Sequence, residues 1–384
     1  MTGTPSRRGS TPPFHVMEVA RAATERQRSH ADAILLCVGQ PATPAPLVVR
    51  EAAARAVTAE VLGYTVSAGR DDLRELIASS YRRQGAQVTA EQVVITTGSS
   101  AAFSLVVLAA FEAGATVAMA RPGYPAYRNT LGSLGCRVVD LPVGEQTRYQ
   151  PTVELLDGLD PKPSGVVIAS PANPTGTIID ADALAAVAAW CQANDCLLIS
   201  DEIYHGISYG RACVTAAGLG DSAVVLGSLS KYHSMTGWRL GWAVLPQWLA
   251  RPVELLQGNL AICAPAISQA AALAAFGDEA RRELDAHVGR YARNRELLLR
   301  RLPELGITGF APPDGAFYVW CDVTHLTDDS QAWCARLLAD TGIALAPGVD
   351  FDPIDGHTKV RLSFCGETAE LATALDRLEE YLQR

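Results

Sequence analysis

The segment Ser228-Leu229-Ser230-Lys231 sets a lysine among hydroxyls, with Arg239 eight residues further on. A neighbouring cation lowers the pKa of an amine, and a lysine so tuned becomes a nucleophile near neutral pH. Lys231 is one of only three lysines among 32 Lys+Arg residues. Lys162 lies in the turn-like Asp160-Pro161-Lys162-Pro163-Ser164 and Lys359 opens a strand-like run, so amine chemistry falls to Lys231. Three other clusters carry a matching theme: Thr97-Gly98-Ser99-Ser100, Ser170-Pro171-Ala172-Asn173-Pro174-Thr175-Gly176 and Asp201-Glu202-Ile203-Tyr204. A turn of small residues opening a helix offers free backbone N–H groups and a positive dipole end to a phosphate. A buried Asp at a strand end needs a cationic partner.

Each cluster follows a short apolar run rich in β-branched residues. The runs are Val93 to Thr96, Thr116 to Met119, Gly165 to Ile168, Cys196 to Ile199, Ala223 to Leu226 and Leu240 to Val244. Continuous apolar runs are how strands read when helices cover both faces of a parallel sheet. Helical patterns lie between them, at Ser100 to Phe111, Tyr124 to Leu134 and Ala181 to Asn194. The alternation predicts an α/β fold: a large domain with a mostly parallel sheet flanked by helices. Beyond Pro265 the pattern changes to long helices, Glu279 to Leu302 foremost, then strand-like Gly315 to Trp320 and Lys359 to Phe364, then a terminal amphipathic helix from Glu367 to Leu382. This tail joins the N-terminal segment in a smaller α+β domain. The expected division is 45–285 for the large domain and 1–44 with 286–384 for the small one. In open α/β sheets ligands bind beyond the carboxyl ends of the strands, where the clusters fall. A phosphate seat, a buried carboxylate, a tyrosine and an activated lysine together describe a site for pyridoxal 5'-phosphate.

Composition narrows the class. The 384 residues exceed what one hydrophobic core usually supports. A formal net charge of -9 without any basic run argues against nucleic acid as a partner. Nine cysteines without a Cys-x-x-Cys pair suit reduced thiols in the cytoplasm better than a disulfide framework. The polar N-terminus does not read as a signal peptide, and Ala101 to Ala110 is too short to span a bilayer, so no membrane association is expected. No metal-ligand spacing stands out.

The run from Ser228 to Gly241, Ser-Leu-Ser-Lys-Tyr-His-Ser-Met-Thr-Gly-Trp-Arg-Leu-Gly, resembles the lysine signature of the fold type I, class I/II aminotransferases, the aspartate aminotransferase-like superfamily. In chain order it is accompanied by Tyr64 with Gly69 and Leu73-Arg74, Gly98-Ser99-Ser100, Pro122-Gly123-Tyr124-Pro125, Asn173-Pro174-Thr175-Gly176, Asp201-Glu202-Ile203-Tyr204, Gly315-Ala316-Phe317-Tyr318 and Val360-Arg361-Leu362-Ser363. Each match alone is weak. Together, spread over most of the chain in the family's order, they are specific.

The resemblance implies that the large domain's mostly parallel sheet is seven-stranded, and that the protein is a homodimeric enzyme exchanging an amino group between an L-amino acid and a 2-oxo acid by a ping-pong mechanism. It implies that Lys231 carries pyridoxal 5'-phosphate as an internal aldimine and moves the substrate proton, that Asp201 pairs with the ring nitrogen, and that Asn173 and Tyr204 bond the ring hydroxyl. Tyr124 would stack on the ring. Ser99, Ser100, Ser228, Ser230 and Arg239 would hold the phosphate, joined by Tyr64 from the neighbouring subunit. Arg361 would grip the substrate carboxylate through a two-bond fork, with the Gly39 backbone closing over it. Simpler readings stand beside these: Asp201 as a helix cap, Tyr124 as core, Arg361 as half of a structural ion pair. The sequence departs from aspartate-preferring relatives, some of which carry a lysine in the turn that here reads Gly98-Ser99-Ser100-Ala101, and Asp352 stands where Gly is common. The apolar segment Pro12-Pro13-Phe14-His15-Val16-Met17 resembles the one the family folds over the site. Phe14 and Val16 would then line a pocket for small or branched apolar amino acids, with pyruvate as acceptor. An aspartate/2-oxoglutarate aminotransferase and a lyase or oxidase on the same scaffold are the alternatives.

Overall fold

The computed structural model describes residues 3–4 and 6–384. Thirteen strands fall into three sheets among the described residues. Strand β1 (Ile34–Leu35) begins the series. The large sheet takes β2 (Val93–Thr96), β3 (Thr116–Arg121), β4 (Arg137–Pro142), β5 (Gly165–Ala169), β6 (Leu197–Asp201), β7 (Ala223–Ser228) and β8 (Gly241–Val244). Four strands from the C-terminal part, β9 (Phe310–Ala311), β10 (Tyr318–Asp322), β12 (Ala346–Pro347) and β13 (Lys359–Ser363), form a second, antiparallel sheet. The remaining strand, β11 (Ile343–Ala344), pairs in parallel with β1.

The seven-stranded sheet has the order β2-β8-β7-β6-β5-β3-β4. Six strands run one way, and β8 runs antiparallel to both its neighbours. That reversal matters for the site. Gly241, at the start of β8, lies opposite Thr96 and Ser228, the carboxyl-terminal residues of β2 and β7. The loop entering β8, with Arg239 in it, is therefore delivered to the edge where the parallel strands end. The six runs read from sequence are all strands; β4 is the one they omit. Its residues, Asp140 among them, are mostly half-buried, with Arg137 and Pro142 exposed, so it lacks a continuous apolar run.

Helices cover both faces of this sheet, as a parallel sheet requires. In chain order they are α1 (His15–His30), α2 (Leu47–Ala59), α3 (Asp71–Arg83), α4 (Gly98–Ala110), α5 (Pro125–Ser133), α6 (Val153–Asp157), α7 (Ala181–Ala193), α8 (Gln247–Ala261), α9 (Ala266–Ala272), α10 (Asp278–Glu304), α11 (Ser330–Thr341) and α12 (Thr368–Leu382). One apolar cluster joins α2, α3 and α7 to one face through Leu73, Ile77, Ile95, Ile168, Leu184 and Leu198. A second joins α4, α5 and α8 to the other through Phe103, Val106, Val117, Leu131, Ile199 and Leu249. The third cluster ties the smaller sheet to α10, α11 and α12 through Leu298, Phe317, Leu337, Leu362 and Leu375. Helix α1 packs Val16 and Ala23 against Trp320, Leu338 and Phe351, so the N-terminal segment sits with the C-terminal third. No helix among the described residues is long and apolar enough to cross a membrane.

Candidate active site

A cavity of about 490 Å³ opens at the carboxyl ends of β2, β5, β6 and β7 and is closed from the other side by residues of α1, β10 and β13. Among the residues proposed from sequence, Phe14, Gly39, Ser99, Ser100, Tyr124, Asn173, Asp201, Tyr204, Ser230, Lys231, Arg239 and Arg361 all line it. Val16 lines it as well. Two do not. Ser228 stands behind the wall, its hydroxyl donating 2.9 Å to Ser230 Oγ and accepting from the Ser230 N–H at 3.0 Å. Tyr64 is 81% exposed and outside the cavity of its own chain.

Lys231 follows β7 directly. Its Nζ donates to the Gly39 carbonyl at 2.8 Å and lies 5.8 Å from the centre of the Tyr204 ring. Burial lowers its pKa to about 8, with the cations of Arg361 and Arg239 in the same direction and Cys365 and Asp201 opposing. Gly39 can approach because it has no side chain: a Cβ there would lie 1.6 Å from Tyr318 Oη. Tyr318 Oη in turn shares a 2.7 Å hydrogen bond with Tyr204 Oη. The thiol of Cys365 donates to the Gln40 carbonyl at 3.0 Å and so fixes the strap that carries Gly39.

Asp201 ends β6 almost wholly buried. It accepts from the Ile203 N–H at 3.1 Å and from the Tyr127 hydroxyl, and no cation pairs with it among the described residues. Burial pushes its pKa up to about 7; the Ile203 N–H opposes this, Glu202 adds to it and Lys231 opposes it. A carboxylate held this way is poised for a cation that enters from the cavity. Its neighbour Glu202 is also raised to about 7 by burial, although Ala216 N–H, Thr215 and Ser200 all donate to it.

Arg361 lies on β13, in the antiparallel register with β10 that puts it diagonally beside Tyr318. It is 2% exposed. The guanidinium is stacked 4.3 Å from the Tyr318 ring centre and 4.6 Å from that of Phe351. Nη1 donates to Asn173 Oδ1 at 2.8 Å, Nη2 donates to the Cys37 carbonyl, and Nε has no partner. The ion-pair reading is not what the structure shows, since no carboxylate meets Arg361 among the described residues. A buried, unneutralised guanidinium lining a cavity is a site for an anion.

At the opposite end Arg239 donates Nη1 to the Thr236 carbonyl at 3.0 Å and has no acidic partner among the described residues. Gly98, the first residue of α4, takes φ +78, and a Cβ there would lie 2.4 Å from Arg239 Nη2. The small residue is what lets the guanidinium settle against the helix start. Unpaired N–H groups of α4, the hydroxyls of Ser99, Ser100 and Ser230, and Arg239 thus converge on one seat with the donor set of a phosphate site.

Tyr127, Tyr318 and Cys365 are contributors that sequence reasoning left without a role. Tyr127 sits one turn from Tyr124, with ring centres 5.3 Å apart. The i,i+3 spacing at the start of α5 was the available signal. Tyr318 stood within the Gly-Ala-Phe-Tyr segment already singled out. Cys365 offers no signal, because its acceptor lies 325 residues away in sequence.

The sequence profile of aminotransferases class I and II matches residues 31–378. The chain belongs to this family. It is 52% identical to the valine–pyruvate aminotransferase of Mycobacterium tuberculosis, over 100% of this chain and 99% of that protein. An aminotransferase crystal structure from the same organism superposes with a TM-score of 0.97 at 52% identity, covering 100% of both chains. Aspartate aminotransferase of Thermus thermophilus with maleate superposes with a TM-score of 0.93 at 30% identity, covering 99% of this chain and 100% of that one. The fold, a mostly parallel α/β sheet flanked by helices, is that of the aminotransferases, and the protein is an enzyme of that kind. The family acts on amino acids and 2-oxo acids and depends on pyridoxal phosphate. The groups in the cavity fit that cofactor: a phosphate seat with an unpaired guanidinium, a buried carboxylate awaiting a cation, and a buried amine.

Proposed function

We propose that this aminotransferase moves an amino group from a small or branched apolar L-amino acid, valine or alanine, to pyruvate by a ping-pong mechanism. One observation carries the substrate reading. The cations lining the cavity are Lys231, Arg239 and Arg361, and each has a task already, so none remains for a distal carboxylate. The wall left for a side chain includes the apolar Phe14, Val16, Met17 and Phe103. The name of the Mycobacterium tuberculosis relative agrees with this choice.

In this reading Arg361 binds the α-carboxylate and orients the amino acid so that its Cα–H faces Lys231. Gly39 closes over the carboxylate, and Asn173 steers one arm of Arg361. The cofactor supplies an electron sink conjugated to Cα. Lys231 would hold it covalently through Nζ and, once released by the substrate, would carry the proton from Cα to the cofactor side of the bond being transferred; a pKa near 8 leaves a useful neutral fraction at neutral pH. Asp201 holds the protonated ring nitrogen, Tyr204 and Asn173 the ring hydroxyl, and Tyr124 the ring face. Ser99, Ser100, Ser230 and Arg239 hold the phosphate, with Ser228 acting by orienting Ser230. Tyr64, exposed here, would complete the seat of a second copy in a homodimer with shared sites. The division into 45–285 and 1–44 with 286–384, which puts the cavity between two units, and a cytoplasmic setting belong to the same proposal.

The test is a half-reaction screen of the holoenzyme against single amino acids. Valine and alanine are expected to convert the bound cofactor fully to its amino form without releasing ammonia. A higher kcat/KM for aspartate with 2-oxoglutarate would overturn the apolar assignment, and stoichiometric ammonia would indicate a lyase.

Tyr127 gives a separate expectation. The Tyr127→Phe variant loses the hydroxyl donated to Asp201, and a hydrogen bond to a charged group is worth enough to predict cofactor affinity lower by about ten- to a hundredfold. Equilibrium titration of the cofactor-free variant measures it.

A further inference from the structure

Helix α1 has no cap of its own. Phe14 at its N-cap position is extended, at φ -100 and ψ 94, and its side chain offers no acceptor to the first N–H groups. The missing acceptor comes from the far end of the chain. Asp350 Oδ1 accepts from the His15 N–H at 2.9 Å and Oδ2 from the Val16 N–H at 2.7 Å, so both carboxylate oxygens are used on the first turn of α1. This turn presents Phe14, Val16 and Met17 to the cavity. Phe14 meets the ring of Tyr124 edge-on, centres 6.1 Å apart.

Asp350 does not line the cavity, but the turn that carries it touches the cavity's other supports. Its successor Phe351 lies under the guanidinium of Arg361 at 4.6 Å. The Phe351 carbonyl accepts from the Gly123 N–H at 3.0 Å, beside Tyr124. The next residue, Asp352, pairs with Arg121 at the end of β3 at 2.7 Å, and Asp355 pairs with the same arginine at 2.9 Å. One short turn thus fixes the group that binds the carboxylate and, through Asp350, the wall that meets the side chain. The distance between those two sets which side chain fits.

We propose that Asp350 is a specificity-determining positioning residue: by capping α1 from across the chain it seats Phe14 relative to Arg361, where it meets the larger side chain of valine and so favours valine over alanine as donor. That preference rests on the apolar-donor reading above; the capping role does not. Two measurements separate them. In hydrogen exchange of the holoenzyme, Asp350→Asn should speed exchange of the amides in residues 14–20 by about tenfold and leave α12 unaltered, as loss of a cap predicts. In steady-state kinetics, the valine-to-alanine ratio of kcat/KM should fall about tenfold through KM, in line with the one to two orders an apolar pocket can discriminate. Phe14→Ala should lower the ratio equally, and adding Asp350→Asn to it should change the ratio no further. Unaltered exchange in Asp350→Asn overturns the cap. A further fall of the ratio in the double variant, or an unchanged ratio in Phe14→Ala alone, overturns the route through Phe14. If neither valine nor alanine is a donor, the functional reading fails while the exchange result still judges the cap.

Discussion

Lys231→Ala is expected to abolish the absorbance of the covalently held cofactor and to lower turnover by at least about 10⁴-fold, the upper range for a lost acid–base group, because the same side chain is both anchor and proton carrier. Neither of the other two lysines can substitute. Lys162 Nζ donates to the Asp157 carbonyl on the surface, and Lys359 Nζ is bound to Asp322 Oδ2 at 2.6 Å. The environment of Lys231 adds a pH signature. Its neutral form is the nucleophile, and burial together with Arg361 and Arg239 brings its pKa to about 8. The rate at which the cofactor-free enzyme takes up pyridoxal phosphate should therefore rise with pH and level off above about 8. An ordinary lysine would keep gaining to about 10.4. Arg239→Gln removes one of the cations that depress the value, so its break should move to higher pH. Near-native turnover in Lys231→Ala, or a break unaffected by Arg239→Gln, would contradict these roles.

The parts of this site that were legible in sequence are those built from adjacent residues. Ser230 and Lys231 follow a buried strand, Ser99 and Ser100 open a helix, and Asp201 ends a strand; in each case the apolar run fixes where the chain leaves the sheet. The sequence could not show that β8 runs backwards, yet that reversal is what brings Arg239 beside Gly98 at the start of α4. Contacts between distant segments were invisible for the same reason. Tyr127 reaches Asp201, Cys365 reaches Gln40 and Asp350 reaches His15 only after the sheets are assembled. Tyr64 marks a different limit, since the role proposed for it in a second copy leaves no trace in its own chain, where it is exposed. Strand β4 escaped because Arg137, Asp140 and Pro142 interrupt its apolar run and only Leu141 in it is fully buried.

Arg361→Lys is expected to reduce kcat/KM by about 10² to 10⁴, most of it in KM, although charge is conserved. The expectation follows from what holds the group. Tyr318 and Phe351 sandwich a flat cation, Asn173 Oδ1 and the Cys37 carbonyl fix one edge of it, and Nε is left bare. An ammonium is not planar, cannot fill that slot and cannot donate two parallel bonds to a carboxylate. Two hydrogen bonds to a charged group, each worth about 1.5–3 kcal/mol, give the stated range. An arginine retained only for stability would behave differently, because no carboxylate pairs with it among the described residues and burying an unpaired charge costs free energy. The substitution should therefore leave cofactor binding and the pH break of Lys231 nearly in place while the KM for every donor rises together, valine and alanine alike. A selective loss for one donor would locate Arg361 in side-chain recognition instead of carboxylate binding, whereas Phe14 and Asp350 are expected to show that selectivity.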